Sequence, residues 1–598
     1  MGYSEVVCHL CSVSFNIGRI RTKAEPRDAA WRSADWCESE GTFVMGDGFS
    51  YRGCGGETGC FVVLRTEEKM GEGRGKEVDG AEVATWEGEE EDGDDSGEFV
   101  DEIEGGEEEV LEYEEEEGDG EGGSDVEMRD VEEEEVEEEK YCEDYLTLLR
   151  NLRAMNDRPQ TPKPEIFYPI NLEAGDVFES TLWEREKAKY GADDESRGVS
   201  LVGVEHIAGP KCFDDRGYNG HNISAEEMKG CTTYQFLAYK SSDWHPESDD
   251  EEWEESSQVF LTGIGDRFPS RDMASPEVIP VRHGWNEGDS DSWNGGGNDR
   301  SVAMPFHPTC FDIFTRLSKQ HLGKIDVHGL MEWRNSKFAD VGRAFSCDPN
   351  VEKGRDQWWA HHAGAEYLAA NPLYIPGLGS IFEAARTVDS SFSPRNSAFS
   401  PLAATSSILR EIGAAREDPF LALPQELREH IVDHLDSKEI ATLRLASRAF
   451  HELPISLWYK LLRIEMPWLW EVYSDHKPSF WTALEVLDLK REAKAKEAWT
   501  EKMDLKRYFI SCEMPEILGE WEKDQPRFAG IEAVGKAYRM AEGVGKMVER
   551  EGTNWYLLYK GIRMAKLKGL RNRERIWRDI GKIVEQIRIL REEGKIAE

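Results

Sequence analysis

LPQELREHIVDHLDSKEIATLRLASRAFHELPISLWYKLL, residues 423–462, is the stretch whose reading decides the fold around it. Leu423-Pro424 opens a helix, because proline at the first helical position gives up an N–H that has no partner there anyway. Glu426 follows in the first turn, where the helix dipole favours a carboxylate. Leu427, Ile431 and Leu435 recur every fourth residue and line one face. Asp436 is placed to cap a second helix, with Glu439 as the reciprocal partner of a capping box. Ile440, Leu443, Ser447 and Phe450 repeat at intervals of three to four, while Leu445 falls on another face. The second helix therefore carries apolar surface in two directions, one for the first helix and one for something else. Leu457-Trp458 closes the stretch. Forty residues make too small a core alone, so the segment is expected to complete its burial on a partner.

These residues resemble an F-box. Leu423-Pro424, the leucine and isoleucine at helical spacing, Leu443-Arg444-Leu445-Ala446-Ser447-Arg448 and the late Leu457-Trp458 carry the resemblance; Ala446 and Phe450 depart from the commoner valine and tryptophan. The resemblance implies binding to the Skp adaptor of a cullin–RING ubiquitin ligase, with the rest of the chain selecting a target. The implied adaptor-binding residues are Leu423, Pro424, Leu427, Ile431, Leu435, Ile440, Leu443, Ser447, Arg448, Phe450, Leu457 and Trp458. An ordinary helical hairpin within a larger helical domain is the competing reading. The segments CHLCSVSFNIGRIRT (8–22), GPKCFDDRGYNGHNISAEEMKGC (209–231), FHPTCFDIF (306–314) and GLRNRERIW (569–577) are similar to pieces of large filamentous-fungal F-box proteins. That likeness bears on architecture and names no target.

The chain has 598 residues, 19 Trp, 24 Phe, 18 Tyr and a net charge of −48. Aromatic residues are plentiful enough for real cores, and the mean hydropathy of −0.63 describes a polar, acidic protein. No stretch approaches the roughly 20 apolar residues that span a bilayer, and the N-terminus lacks the basic start and apolar run of a secretory signal. The expected location is cytoplasmic or nuclear. In such a compartment the eleven cysteines stay free or bind metal. Residues 87–139 hold 31 Asp or Glu against one Arg. Such a run buries too little to offset its ordering entropy and is expected to be disordered. Its field would repel nucleic acid, which is bound by neutralising phosphates, and would attract a basic protein if it attracts anything.

The fold class expected is α+β. Residues 1–66 and 141–385 read as one N-terminal α+β domain, with two separate domains as the alternative, and 67–140 as an acidic insertion. Within it FVMGDGFSY, GCFVVLR and TYQFLAYK read as strands, and YLTLLRNLRAMN (145–156) and HPTCFDIFTRLSKQ as helices. Residues 386–417 form a Ser/Pro-rich linker, containing Ser393-Pro394 and Ser400-Pro401. The F-box covers 418–465, and 466–598 is a helical C-terminal region. There, Leu570, Ile576, Ile580, Ile583 and Ile587 recur at near-helical spacing. Residues 551–598 carry twelve Lys or Arg against seven Asp or Glu. Basic charge of that kind suits nucleic acid, but a solvated helix face, or pairing with acid elsewhere in the chain, explains it more simply.

Cys8-x-x-Cys11 is half of a zinc site, since a two-residue gap lets both thiolates reach one ion. His307-x-x-Cys310 is the best second half, though the halves stand 296 residues apart between Cys11 and His307. Cys54 with Cys60 and Cys212 with Cys231 are rival pairs, and ordinary buried thiols are the competing account of all of them. One structural zinc is the only cofactor the sequence suggests; four protein ligands would leave no open position for catalysis. Gly530-x-x-x-x-Gly535-Lys536 imitates a phosphate loop, but Ala537 replaces the Mg²⁺-binding hydroxyl and no strand precedes it. His361-His362 sits beside Trp358-Trp359 in what reads as an aromatic helix, and an inert histidine pair is expected. No catalytic residue is assigned. The expected partners are a Skp adaptor, a cullin complex and an unidentified protein substrate, with no membrane and with nucleic acid disfavoured. Two other functions stay open: a Skp-binding protein acting outside any cullin complex, and an enzyme in the N-terminal domain.

Overall fold

In a computed structural model the chain is described at residues 7–31, 57–68, 199–240, 250–266, 303–337, 359–386, 418–450, 453–513, 532–544 and 548–596, with shorter pieces at 35–37, 42–44, 54, 165–169, 244–247, 346, 348–355, 398–399 and 518. All of the acidic insertion beyond Glu68, the helix expected at 145–156 and nearly all of the linker lie outside these residues.

The fold is α+β, with small sheets and many helices. One sheet is antiparallel and three-stranded, with β1 (Phe61–Glu68) between β2 (Phe167–Pro169) and β3 (Val199–Ile207). A second has β4 (Tyr234–Tyr239) between β5 (Val259–Gly265) and β6 (Met304–Phe306), again antiparallel. Both central strands are rich in Val, Phe, Leu and Tyr, which suit a pleated, packed surface. Of the strand expectations, FVMGDGFSY (43–51) is described only at Phe43 and Val44, which belong to the strand Thr42–Val44 paired with Asp35–Cys37; its other residues lie outside the described ones.

β6 leads straight into helix α1 (Pro308–Leu322), with Pro308 at its first position and Gly323 in the left-handed conformation that ends it. Helix α2 (Val327–Ser336) follows, capped by Asp326, whose side chain accepts from the Gly329 N–H. Of the aromatic helix expected near position 358, the described residues 359–362 are not helical: Trp359 makes an extended bridge to Arg355, which follows the helix Pro349–Gly354, while Trp358 lies outside the described residues.

The F-box segment gives helices α3 (Gln425–Asp433), α4 (Ser437–Ala446) and α5 (Ile455–Glu465). In the helical region expected after the F-box lie α6 (Val486–Glu513), α7 (Trp555–Met564) and α8 (Lys568–Glu592). Within α8 the whole apolar stripe, Leu570, Ile576, Ile580, Ile583 and Ile587, is buried against α1 and α2, each side chain contributing about 1.5–3 kcal/mol. One hydrophobic core thus runs from Cys8 to Ile587 and includes Val432, Ile440 and Phe450 of the F-box. It crosses both the 385 and the 466 boundaries drawn from the sequence.

Three of the basic side chains of α8, Arg573, Arg575 and Arg591, are engaged with the rest of the fold. Arg591 pairs with Asp326, and Arg575 donates to the carbonyl of Cys11 at 2.8 Å. Arg573, fully buried, donates to both carboxylate oxygens of Glu471 at 2.9 and 3.0 Å and to the Pro372 carbonyl. Removing one partner of such a pair strands a buried charge, at about 3–5 kcal/mol, whereas replacing both by apolar residues can be nearly neutral. Urea unfolding should therefore show R573M as severely destabilised and E471L/R573M as largely restored. A single variant that unfolds at the parental midpoint would contradict this account.

Candidate functional sites: the F-box face and two cysteine–histidine clusters

Asp436 caps α4 as expected: its carboxylate accepts from the N–H groups of Lys438 and Glu439 at 2.9 and 2.8 Å, while Glu439 accepts from the Asp436 N–H at 2.9 Å. Pro424 is the N-cap residue of α3 and not its first helical residue, with ψ of 153°. α3 ends at Asp433, so Leu435 lies in the turn beyond it, and α4 ends at Ala446, so Ser447 is its C-cap and Phe450 sits in a short 3₁₀ turn. Leu457-Trp458 belongs to a third helix, α5, and is not a mere closing pair.

The twelve residues expected to face an adaptor divide into two sets. Ile440, Ser447, Phe450, Leu457 and Trp458 are buried by the chain itself, which corrects the expectation for these five. Phe450 meets Phe420, Ser447 donates to Asp418 at 2.6 Å, and Trp458 packs on Tyr556 and Tyr559 of α7 at ring distances of 5.0 and 5.1 Å. Glu465, at the end of α5, reinforces that junction by accepting from Ser437, Tyr559 and Arg563. Pro424, Leu427 and Arg448 are exposed, and Leu423, Ile431, Leu435 and Leu443 are half-buried. Leu427 is 50% exposed and Leu445, assigned to another face by its spacing but not to the adaptor, is 91% exposed.

Cys8, Cys11, His307 and Cys310 come together, all buried, with their ligand atoms within 4.8 Å of one another. The turn carrying the first two is closed by the Cys8 N–H to the Val13 carbonyl at 2.9 Å and by the Ser12 N–H to the Cys8 carbonyl, with Ser12 at φ 60°. The His9 N–H ties this turn to Pro305 of β6. His307 and Cys310 stand at the entrance of α1. The Cys11 Sγ to His307 Nδ1 distance is 3.5 Å. Tetrahedral ligands on zinc are separated by about 3.5–3.8 Å, so the set fits the ion. The Nε2 of His307 lies 3.0 Å from the Cys231 carbonyl; a carbonyl only accepts, so Nε2 carries the proton and Nδ1 presents its lone pair to the sulfurs. Cys231 contributes this carbonyl and is not the thiol partner of Cys212.

A second cluster unites Cys54, Cys60, His206 and Cys212, also buried and within 4.8 Å. Sequence spacing singled out its cysteines in separate pairs and missed His206.

His361 is the inert core histidine expected. Its Nε2 accepts the Gly18 N–H at 2.9 Å and its Nδ1 donates to the Asp215 carbonyl at 2.7 Å. Burial lowers it from 6.5 to about 4. The folded ring therefore stays neutral where the unfolded one takes a proton. Its stabilising effect is complete above pH 6.5 and is lost as pH falls to about 4, a loss of roughly 3 kcal/mol. H361Q should show a smaller fall in unfolding free energy than the parent across that window; equal falls would refute the assignment. His362 is half-exposed and meets the Lys353 carbonyl. Gly535 and Lys536 lie within the helix Glu532–Gly543, so no phosphate loop forms there.

The F-box domain family model matches residues 420–461. That span coincides with α3, α4 and most of α5. The chain carries an F-box domain at these residues. No curated protein and no solved structure matches it. No helix among the described residues is long and apolar enough to cross a membrane.

Proposed function

We propose that the chain is a non-catalytic substrate receptor of a Skp–cullin–F-box ubiquitin ligase. The exposed edge of the F-box, Leu427 and Leu445 with Pro424 and the half-buried Leu423, Ile431, Leu435 and Leu443, docks on the Skp adaptor. The observation that carries this reading is the F-box match together with two leucines, 50% and 91% exposed, on its first two helices. Ubiquitin is transferred by other subunits. The chain contributes proximity, raising the effective concentration of a protein target that the fold built on Cys8 to Ile587 brings close. α5 packs on α7, so the adaptor-binding segment is part of the same packed fold that would carry the target.

One zinc ion bound by Cys8, Cys11, His307 and Cys310 holds the N-terminal turn to the start of α1. Four protein ligands close its coordination sphere, so its contribution is to folding. The work is done in the cytoplasm or nucleus.

The test is affinity purification of the full chain with proteasome activity blocked. Skp adaptor and cullin should co-purify, together with ubiquitin-bearing proteins. Adaptor without cullin would reduce the role to Skp binding alone; absence of both would end the proposal.

A further inference from the structure

The structure assigns a second structural zinc site to Cys54, Cys60, His206 and Cys212, independent of the adaptor reading and of the zinc at Cys8. The four side chains are 1%, 2%, 1% and 8% exposed. The Cys54 and Cys212 sulfurs are 3.7 Å apart, far beyond the roughly 2.05 Å of a disulfide and close to the separation that tetrahedral zinc imposes on two thiolates, about 3.8 Å. Cys212 Sγ lies 3.9 Å from His206 Nε2.

The surroundings are arranged as for a metal. His206 Nδ1 is 3.0 Å from Asp214 Oδ2, and Asp214 is held in turn by the Arg216 backbone N–H and guanidinium. A carboxylate clamped by arginine accepts a hydrogen bond from the Nδ1–H, which leaves the Nε2 lone pair for the three sulfurs, the usual support for a histidine ligand. Cys60 Sγ accepts the Gly209 N–H at 3.3 Å. The two ligand-bearing turns lie backbone against backbone there: a Cβ at Gly209 would come within 2.2 Å of Gly59 C and Thr58 O, so only glycine fits. Asn219 donates to the carbonyls of Gly209 and Cys212, fixing the second turn.

Strand pairing supplies the rest. Cys60 immediately precedes β1, and His206 is paired with Val62 on β3. The ion would therefore fasten the chain just before residue 61 to the chain just after residue 205, closing one long loop whose entropy the fold otherwise has to restrain without a cross-link. Three thiolates and one imidazole leave no open position, so the site is structural.

Metal analysis of the purified full chain should give two zinc ions per molecule. C60S/C212S should retain one, and C8S/C11S should retain the other. A parent chain with a single zinc that disappears in C8S/C11S overturns the proposal while sparing the first site; the reverse pattern spares this one. D214N keeps all four ligands and covers the case in which a cysteine variant fails to fold. It should bind one of its two zinc ions about 10–100-fold more weakly in chelator competition. Release of both ions at parental affinity would also overturn the assignment, since Asp214 would then be orienting no ligand.

Discussion

Aspartate at both Leu427 and Leu445 is expected to abolish adaptor capture while leaving the chain folded. Each leucine points into water, at 50% and 91% exposure, so its loss changes folding by no more than about 0.5 kcal/mol. At a docked interface the same two side chains are central apolar anchors, and replacing each with a charge costs at least about 2 kcal/mol, together a Kd weakened on the order of a thousandfold. The measurement is titration of purified Skp adaptor against parent and variant, with thermal melts of both. Trp458→Ala is the contrasting variant. Trp458 is enclosed by Tyr556 and Tyr559, and its truncation should cost about 3–5 kcal/mol of stability, so any lost binding would follow from a damaged fold. Parental affinity in L427D/L445D would show that the adaptor, if bound at all, sits elsewhere.

The second large effect is expected at Cys8 and Cys11. Serine at both positions should remove one zinc and most of the stability that depends on it. Structural zinc adds its binding free energy to the fold; the extensive core that remains keeps the variant folded with a smaller margin. In this chain the loss reaches the core, because the turn at 8–13 rests on β6 through His9, and Arg575 of α8 donates to the Cys11 carbonyl. The variant should melt many degrees lower, and the parent treated with a strong chelator should move toward the same curve. Identical melts with and without metal would show the cluster to be four packed thiol and imidazole groups and nothing more.

Local rules made the helices legible. The Asp436–Glu439 capping box, Pro308 opening α1 and the isoleucine stripe of α8 each depend on residues within a few positions of one another, and each appears in the fold as its spacing indicates. The first cluster was readable for a similar reason: each half is a close pair of ligands, and only the joining of the halves was left to the fold. Pro424 was placed one position too far into its helix because first-helical and N-cap positions differ only in ψ, which the side chain does not encode.

The sequence alone determined that residues 423–462 form capped, amphipathic helices with apolar surface on more than one side, and that a Cys-x-x-Cys and a His-x-x-Cys pair have metal spacing. Only the tertiary structure decided which of those apolar faces stays bare. α7, a hundred residues downstream of α5, covers Trp458, and nothing in the F-box segment records that it will. The strands likewise decided that His206 joins Cys54, Cys60 and Cys212, since the register of β1 on β3 is a contact between residues far apart in the chain. Periodicity reports which side of an element is apolar; what comes to lie against that side is settled by distant chain, through burial and pairing energies that no short window contains.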